Sequence, residues 1–270
     1  MAQINNLLIE KVKEATMFNA DGSVRWAAQD VSAPSINVTA ETSEKLDAMQ
    51  NVISKLFRGK KAEITFESSF FSLNMIAAQA GTDVQEASST AKITTNFRET
   101  IVVGKDSSGD ANTTIELSKT PVGTSGSEVK YIYVMNTDSS LGKRYAVDAS
   151  AGADKFSISG KTITLPTGGA IKADDTIIVY YDADVENGAA VKNTASANTD
   201  AGLFRMYVQF KDVCNEELKY SGVIEFPSAQ ISRECELGLE FDSTYSYTLS
   251  ANKKYCSKED TLFTVFIPAE

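Results

Sequence analysis

Short runs in which apolar and polar residues alternate recur along most of this chain, and they constrain its fold more than any other feature. The run FRMYVQFKDV, which starts at Phe204, places Met206, Val208 and Phe210 on one face. The run FSISGKTITLPTGGAIKADDTIIVYYD, residues 156–182, alternates in the same way between Gly and Pro turn residues. A period of two residues is typical of strands with one buried face. The sequence therefore predicts a mainly β protein.

Two segments have the pattern of helices instead, which makes the predicted class α+β. Residues 42–61, TSEKLDAMQNVISKLFRGKK, can begin at a capping Thr42 or Ser43 and end at Gly59. Their apolar residues recur at helical spacing: Leu46, Met49, Ile53, Leu56 and Phe57. The segment FFSLNMIAAQAG, residues 70–81, predicts a short second helix closed by its final glycine.

The chain is predicted to contain one domain interrupted by another. Two stretches rich in Gly, Ser, Asn, Asp and Ala, KDSSGDANTT and VENGAAVKNTASANTDAG, have the composition of exposed linkers. Between them we predict strands near residues 114–118, 129–135, 156–159, 161–165 and 176–181. We therefore expect a discontinuous core domain over residues 1–111 and 191–270, interrupted by an inserted Ig-like β-sandwich over residues 112–190.

Composition excludes several kinds of chemistry. The chain has no histidine, which removes every Ser-His-Asp and Cys-His arrangement and the commonest zinc ligand. Cys214, Cys235 and Cys256 are too scattered for a disulfide framework or a metal knuckle, and we expect buried thiols or, alternatively, an intersubunit bridge. We expect no cofactor, no metal and no catalytic residue. A glycan hydrolase that uses two carboxylates is the enzymatic alternative.

Charge and hydropathy narrow the expected partners. A formal net charge of −10 indicates a surface that repels nucleic acid. We see neither a secretory signal nor a run of about 20 apolar residues, so we expect no membrane contact and assembly in a cytoplasm.

One segment combines alternation with a row of acids. In ECELGLEFD we predict a strand with an apolar and a polar face. The apolar face carries Cys235, Leu237, Leu239 and Phe241, and the polar face carries Glu234, Glu236, Glu240 and Asp242. The run EITFES places Glu63 and Glu67 on a similar face. Such faces are either solvated surface or an acidic lining.

The order of these segments resembles that of the major tail proteins that build the tail tube of bacteriophages. The resemblance covers the predicted helix followed by GKKAEITFESSFFSLNMIAAQAG, and then FRMYVQF, YSGVIEFPSAQIS, CELGLEFD and TLFTVFIP. The segment at residues 156–182 is similar to inserted segments of phage tail and virion proteins. The resemblance implies a β-sandwich or barrel with a flanking helix. It also implies a structural virion protein that assembles as stacked hexameric rings around a DNA channel.

The resemblance also implies roles for particular residues. The acids Glu234, Glu236 and Glu240, with Glu63 and Glu67 as further candidates, would line the channel and let DNA pass without adhesion during genome ejection. The extended termini would contact neighbouring copies, through Ile4, Leu7, Leu8, Phe266 and Ile267. Partners would be other copies of the chain and tail proteins such as a terminator, a tape measure or a baseplate. The alternative is another virion protein, such as a capsid decoration or head-tail connector component.

Overall fold

The computed structural model describes residues 7–213, 217–234, 236–253 and 260–268, and almost all of its regular structure is β. The elements are, in chain order, β1 (Leu7–Phe18), β2 (Val24–Ala28), β3 (Ser32–Leu46), β4 (Val52–Ser68), α1 (Leu73–Ala80), β5 (Gln85–Glu86), β6 (Ile93–Val102), β7 (Thr114–Glu116), β8 (Tyr131–Met135), β9 (Leu141–Val147), β10 (Lys155–Ser159), β11 (Thr162–Thr164), β12 (Thr176–Val185), β13 (Ala189–Ala190), β14 (Ala201–Asp212), β15 (Lys219–Ile231), β16 (Tyr245–Ala251) and β17 (Thr264–Phe266). The predicted mainly β class is confirmed. The three cysteines and Ile4 lie outside the described residues.

The chain divides into two compact units. The first contains the residues up to Gln85 and those from Val191 onward, and the second is Glu86–Ala190. The first unit is built on a sheet with strand order β2-β1-β14-β15-β16-β4-β3, to which β17 adds beside β15. The second is built on a sheet with order β6-β12-β8-β9-β10-β11-β7. The short strands β5 and β13 pair with each other.

Apolar and polar residues alternate along β14 as predicted, and the apolar residues lie on the buried face of the first sheet. Met206, Val208 and Phe210 are buried on that face together with Phe204. Five aromatic rings then form the centre of the core: Trp26, Phe66, Phe204, Phe226 and Tyr247. Their ring centroids lie 5.4 to 6.4 Å apart in the contacting pairs. Aromatic rings each remove a large apolar area from water, so this cluster contributes strongly to the stability of the unit.

The short helix predicted at residues 70–81 is confirmed as α1, and both of its ends are capped. The Ser72 side chain accepts a hydrogen bond from the Met75 amide at 3.5 Å. At the other end Gly81 adopts φ +66°, a left-handed conformation that favours glycine. A Cβ at this position would lie 2.3 Å from the Asn198 carbonyl oxygen, so the helix end also requires a residue without a side chain. The helix packs Met75 and Ala78 into the first core.

The second unit has its own core and begins earlier than the sequence indicated. Its central strand β12 buries Ile177, Val179, Tyr181 and Ala183 on one face. Strand β6 pairs with β12 at ten consecutive positions, so β6 belongs to this unit and the predicted boundary at residue 112 falls inside it. The Gly- and Ser-rich stretch that suggested a linker is a turn in which Asp106 accepts the Ser108 and Asp110 amides.

The helix predicted over residues 42–61 is wrong. The segment forms the ends of β3 and β4 and the turn between them. All five apolar residues that suggested a helical face are exposed. These residues contact no core of their own chain, so no packing energy favours a helix in which they would share one face. Instead, β-branched residues such as Thr42, Val52 and Ile53 favour the extended chain.

The strand predicted over residues 234–242 is also wrong. The described residues of this segment form a loop and a turn before β16. Leu239 and Phe241, which were expected to be buried, are 90% and fully exposed. Gly238 packs so closely against Ser243 that a Cβ there would lie 2.6 Å from the serine side chain. This close approach turns the chain back on itself, and Glu234, Glu236 and Glu240 therefore do not share a sheet face.

Candidate assembly surface

The ribbon made by β3 and β4 continues well past the sheet of the first unit. We call residues 40–61 the projecting hairpin. Each of these residues is exposed except Asp47, which is half-buried at the turn. The last residue of β4 paired with the neighbouring strand β16 is Ala62. Ten residues separate Ala62 from Val52 at the tip, so at about 3.3 Å per residue the hairpin extends roughly 30 Å.

A network at the tip fixes the turn of the projecting hairpin. One carboxylate oxygen of Asp47 accepts the amides of Met49 and Asn51, both at 2.8 Å. The second oxygen accepts the Asn51 side-chain amide at 3.1 Å. These bonds hold the pKa of Asp47 below its usual range, the Asn51 backbone amide contributing most. Gln50 completes the turn with φ +64°. The tip is therefore an ordered structure.

The projecting hairpin carries large apolar side chains that contact no core. They are Leu46, Met49, Val52, Ile53, Leu56 and Phe57. Met49 at the tip is 83% exposed and Phe57 is 67% exposed. The strand pairing places Leu56 and Lys45 on one face of the ribbon and Phe57 on the other, so both faces carry exposed apolar groups. Several large apolar side chains exposed on one projection are typical of a site of protein contact.

The charge of the projecting hairpin is opposite to that of the rest of the chain. It contains five basic and three acidic residues, a net charge of +2, whereas the other 248 residues carry −12. Glu44 is paired with Lys55 at 2.7 Å. The remaining bases, Lys45, Arg58, Lys60 and Lys61, are all exposed. The hairpin is therefore a basic and apolar projection from an acidic protein.

The sequence-predicted terminal contacts lie on two strands of the first sheet. Leu7 and Leu8 begin β1 opposite Asp212 and Lys211, and Leu8 is exposed. Phe266 lies in β17 beside Val223 and is exposed, whereas Ile267 is partly buried against the first core. These residues are not brought together with the projecting hairpin.

Glu63 and Glu67 lie on the polar face of the first sheet, as their alternation predicted. Between them on β4, Ile64 and Phe66 point into the core. Glu63 pairs with Ser250 on β16, and Glu67 pairs with Ser246. The surroundings of these two carboxylates are thus small and polar.

Elsewhere on this sheet, two basic side chains of β14 and β15 form ion pairs with acids. Arg205 donates to Glu225 at 2.8 Å, and this bond raises the pKa of the guanidinium above its usual range. Lys219 pairs with Glu10 at 2.8 Å, which holds the pKa of that carboxyl below its usual range. Lys11 and Lys211 also act on Glu10 and lower its pKa further, so this part of the sheet carries charges of both signs.

A family model described as the YomU/Tube protein family matches residues 7–263. The chain belongs to the YomU/Tube protein family. Membership confirms the resemblance to phage tail tube proteins and indicates a structural component of the phage tail. The comparison with curated proteins gave no match. Among the described residues, no helix is long and apolar enough to span a membrane. The same residues contain no group of three or more His, Cys, Asp or Glu side chains that could hold a metal ion.

The main apolar surface of this YomU/Tube protein was present in the sequence but assigned to the wrong element. The signal that distinguishes a hairpin is the DAMQN segment, residues 47–51, in which Asp and Asn can close a turn between two runs. The same residues are also compatible with a helix. The pairing of β3 with β4 is what makes the segment a hairpin.

Proposed function

We propose that this chain is the subunit of a phage tail tube, in which copies stack as rings of six around the path of the DNA. The observation that carries this proposal is the projecting hairpin with its six exposed apolar side chains. Exposed apolar area on this scale is costly in water and is buried when another protein surface covers it. Membership of the YomU/Tube family supports a tube as the form of that assembly.

We assign the wall of the channel to the polar face of the first unit's sheet. Glu63 and Glu67 supply negative charge there, and Arg205 is held by Glu225. A carboxylate repels phosphate only within about 8 to 10 Å at physiological salt, so this effect operates in a narrow channel. DNA would pass such a wall without adhesive contacts during ejection. Glu234, Glu236 and Glu240 are not included, because they do not lie on a sheet face.

A tube of this kind has two ends, and each end requires a partner other than the chain itself. Copies of the chain form the body, and the two end rings meet other tail proteins, such as a terminator, a tape measure or a baseplate. The tube forms in the host cytoplasm and is then part of the virion. The exposed Leu8 and Phe266 add contacts between neighbouring copies.

The proposal is tested by electron microscopy of the purified chain in negative stain over a range of concentrations. We expect hollow tubes above a threshold concentration and six-fold rings in end views. Discrete particles that bind to phage heads would contradict the proposal and support a decoration or connector protein.

The channel assignment is tested with the double variant E63K/E67K in assembled phage. Tubes should form, because both side chains lie on the polar face, but DNA ejection should be slower than in the wild type, and higher salt should relieve the defect. Ejection at the wild-type rate would remove these residues from the channel wall.

A further inference from the structure

The first unit has a second exposed apolar surface besides the projecting hairpin. It combines the loop 236–242 with the two residues that follow β4 closely, Phe70 and Phe71. We call this surface the end patch. Leu239 and Phe241 are 90% and fully exposed, and Phe70 is 67% exposed. No basic residue occurs in the loop, which contains three acids, Glu236, Glu240 and Asp242.

The end patch is held in a defined conformation. The Glu240 amide donates to the Ser243 hydroxyl at 3.1 Å. Tyr245 donates to the Gly238 carbonyl at 3.1 Å, and its ring packs edge-on against Phe71 at 5.8 Å. These contacts join the two parts of the patch and orient its apolar side chains toward solvent. Their exposure is thus a property of the folded loop.

The end patch and the projecting hairpin lie at opposite ends of the same pair of strands. Strands β4 and β16 are antiparallel and pair from Ser68 opposite Tyr245 to Ala62 opposite Ala251. The hairpin leaves the sheet beyond Ala62. The end patch adjoins the other end, just after Ser68 and just before Tyr245. About 20 Å of paired strand separates the two surfaces, so a subunit's hairpin points away from its own end patch.

The two surfaces are complementary in charge and alike in apolar character. The hairpin carries a net charge of +2 and the loop of the end patch carries −3. Each offers several large side chains that have no cover in the subunit. Opposite potentials favour encounter and fix orientation, while the apolar groups supply affinity. Two different surfaces at opposite ends of a subunit make a head-to-tail contact, which adds copies along one direction and forms an open filament when its rotation does not close a ring.

We propose that the projecting hairpin of one subunit docks on the end patch of a second copy of this chain, and that this contact joins successive layers of the tube. The proposal rests on the proposed function, since it requires that the chain polymerises. Glu236 and Glu240 then act in assembly, and Leu239 and Phe241 are covered by apolar side chains of the incoming hairpin such as Leu56, which shares a face with Lys45. Lys45 and Lys60 supply positive charge opposite the loop.

The test reverses charge on each surface separately. The hairpin variant K45E/K60E and the patch variant E236K/E240K each create like charges across the contact. Each should raise the concentration needed for tube formation about tenfold or more in sedimentation and electron microscopy. The control K130E/K172E changes two exposed lysines of the second unit and should assemble as the wild type does.

Restoration distinguishes this contact from a general effect of charge. An equimolar mixture of the two variants can form alternating layers in which every hairpin meets an opposite charge, so it should regain tubes. The chain that carries all four substitutions should regain tubes for the same reason. If both remain unassembled while the control assembles, the pairing of these two surfaces is wrong.

A variant without any change of charge tests the same contact in case charge reversal disturbs folding. L239S/F241S removes two exposed apolar groups, so thermal unfolding of the monomer should not change, but tube formation should be lost. Wild-type assembly by this variant, or by E236K/E240K, would overturn the proposal and leave the proposed function intact. Failure of the wild-type chain itself to form tubes would instead overturn the proposed function.

Discussion

The two units of this protein differ in how completely they cover their apolar residues. Of the 24 large hydrophobic side chains that are exposed among the described residues, nineteen belong to the first unit and five to the second. The five in the second unit include no phenylalanine, whereas the first unit exposes Phe57, Phe70, Phe71, Phe241 and Phe266. The second unit is complete by itself. The first exposes apolar area of the kind that a second protein surface covers, as the proposed assembly requires.

The largest effects on tube formation should come from removing one region at a time. Replacing residues 41–58 with a two-residue Asn-Gly turn should abolish tube formation, because the uncovered apolar ribbon is lost. Replacing residues 87–189 with a short Gly-Ser linker should leave tube formation intact, because the second unit has its own core. Electron microscopy and sedimentation measure both outcomes. Tubes formed after the first replacement would remove the hairpin from the assembly contacts, and loss of tubes after the second would show that the second unit takes part in them.

Two phenylalanines on the same strand test whether buried and exposed apolar residues have separate functions. Phe66 is buried in the aromatic core, so F66A should lower the free energy of unfolding by about 3 to 5 kcal/mol. Phe57 is exposed, so F57S should change that free energy by less than about 0.5 kcal/mol but raise the concentration needed for assembly. Chemical denaturation of the monomer and sedimentation measure the two effects. Equal destabilisation by both variants would mean that the hairpin packs against its own subunit.

The stability of the second unit should depend on its own hydrogen bonds and not on whether the chain assembles. Burial alone would raise the pKa of Glu99, but hydrogen bonds from Ser118 and Tyr181 outweigh it and lower the pKa from its usual 4.5. E99Q should therefore destabilise the second unit by about 1 to 3 kcal/mol at neutral pH. Hydrogen exchange of the β12 amides measures this effect, and E116Q at an exposed glutamate is the matched control.

The same carboxylate has a defined pH dependence. Because the pKa of Glu99 is lower in the folded protein than in the unfolded chain, its stabilising effect is fully present above about pH 4.5 and decreases as the pH falls through the folded-state value. The difference between the wild type and E99Q should therefore shrink in acid. A difference that stays constant down to pH 2 would show that Glu99 acts through packing and not through its charge.

The smallest expected effect comes from the terminal strands. L8S and F266S each remove one exposed apolar side chain that faces no core. Each should raise the assembly concentration by only a few-fold, since a single contact contributes about 1 kcal/mol. Sedimentation decides the outcome. If either variant abolishes assembly as the hairpin deletion does, the terminal strands are the principal contact.

The sequence predicted those parts of the fold in which the local pattern of apolar and polar residues is enough to show which residues are buried. Alternation gave β14 and the strands of the second unit, and Ser72 with Gly81 gave the ends of α1. Pairing between distant segments could not be predicted in this way. Strand β6 contacts β12 about 80 residues later, and without that partner β6 fits either unit equally well.

The candidate site was harder to predict for a related physical reason. Leu46, Ile53 and Phe57 are apolar, but they contact no core within their own chain. Patterns of hydrophobic spacing assume a core within the chain, and under that assumption these residues fit a helix face. Leu239 and Phe241 were assigned to a buried strand face by the same assumption. Apolar residues that lie outside the core of their own chain are therefore the ones for which sequence periodicity predicted the wrong element.

The continuity of β4 has a mechanical consequence. A single strand runs from the hairpin tip at Val52 through the sheet to Ser68, where seven consecutive residues pair with β16. Hydrogen bonds between antiparallel strands lie perpendicular to the strand direction. Tension on the hairpin tip along that direction loads these bonds in shear, all together, and does not peel them open one by one. A hairpin joined to the sheet in this way can transmit a pulling force to the core without unravelling at its base.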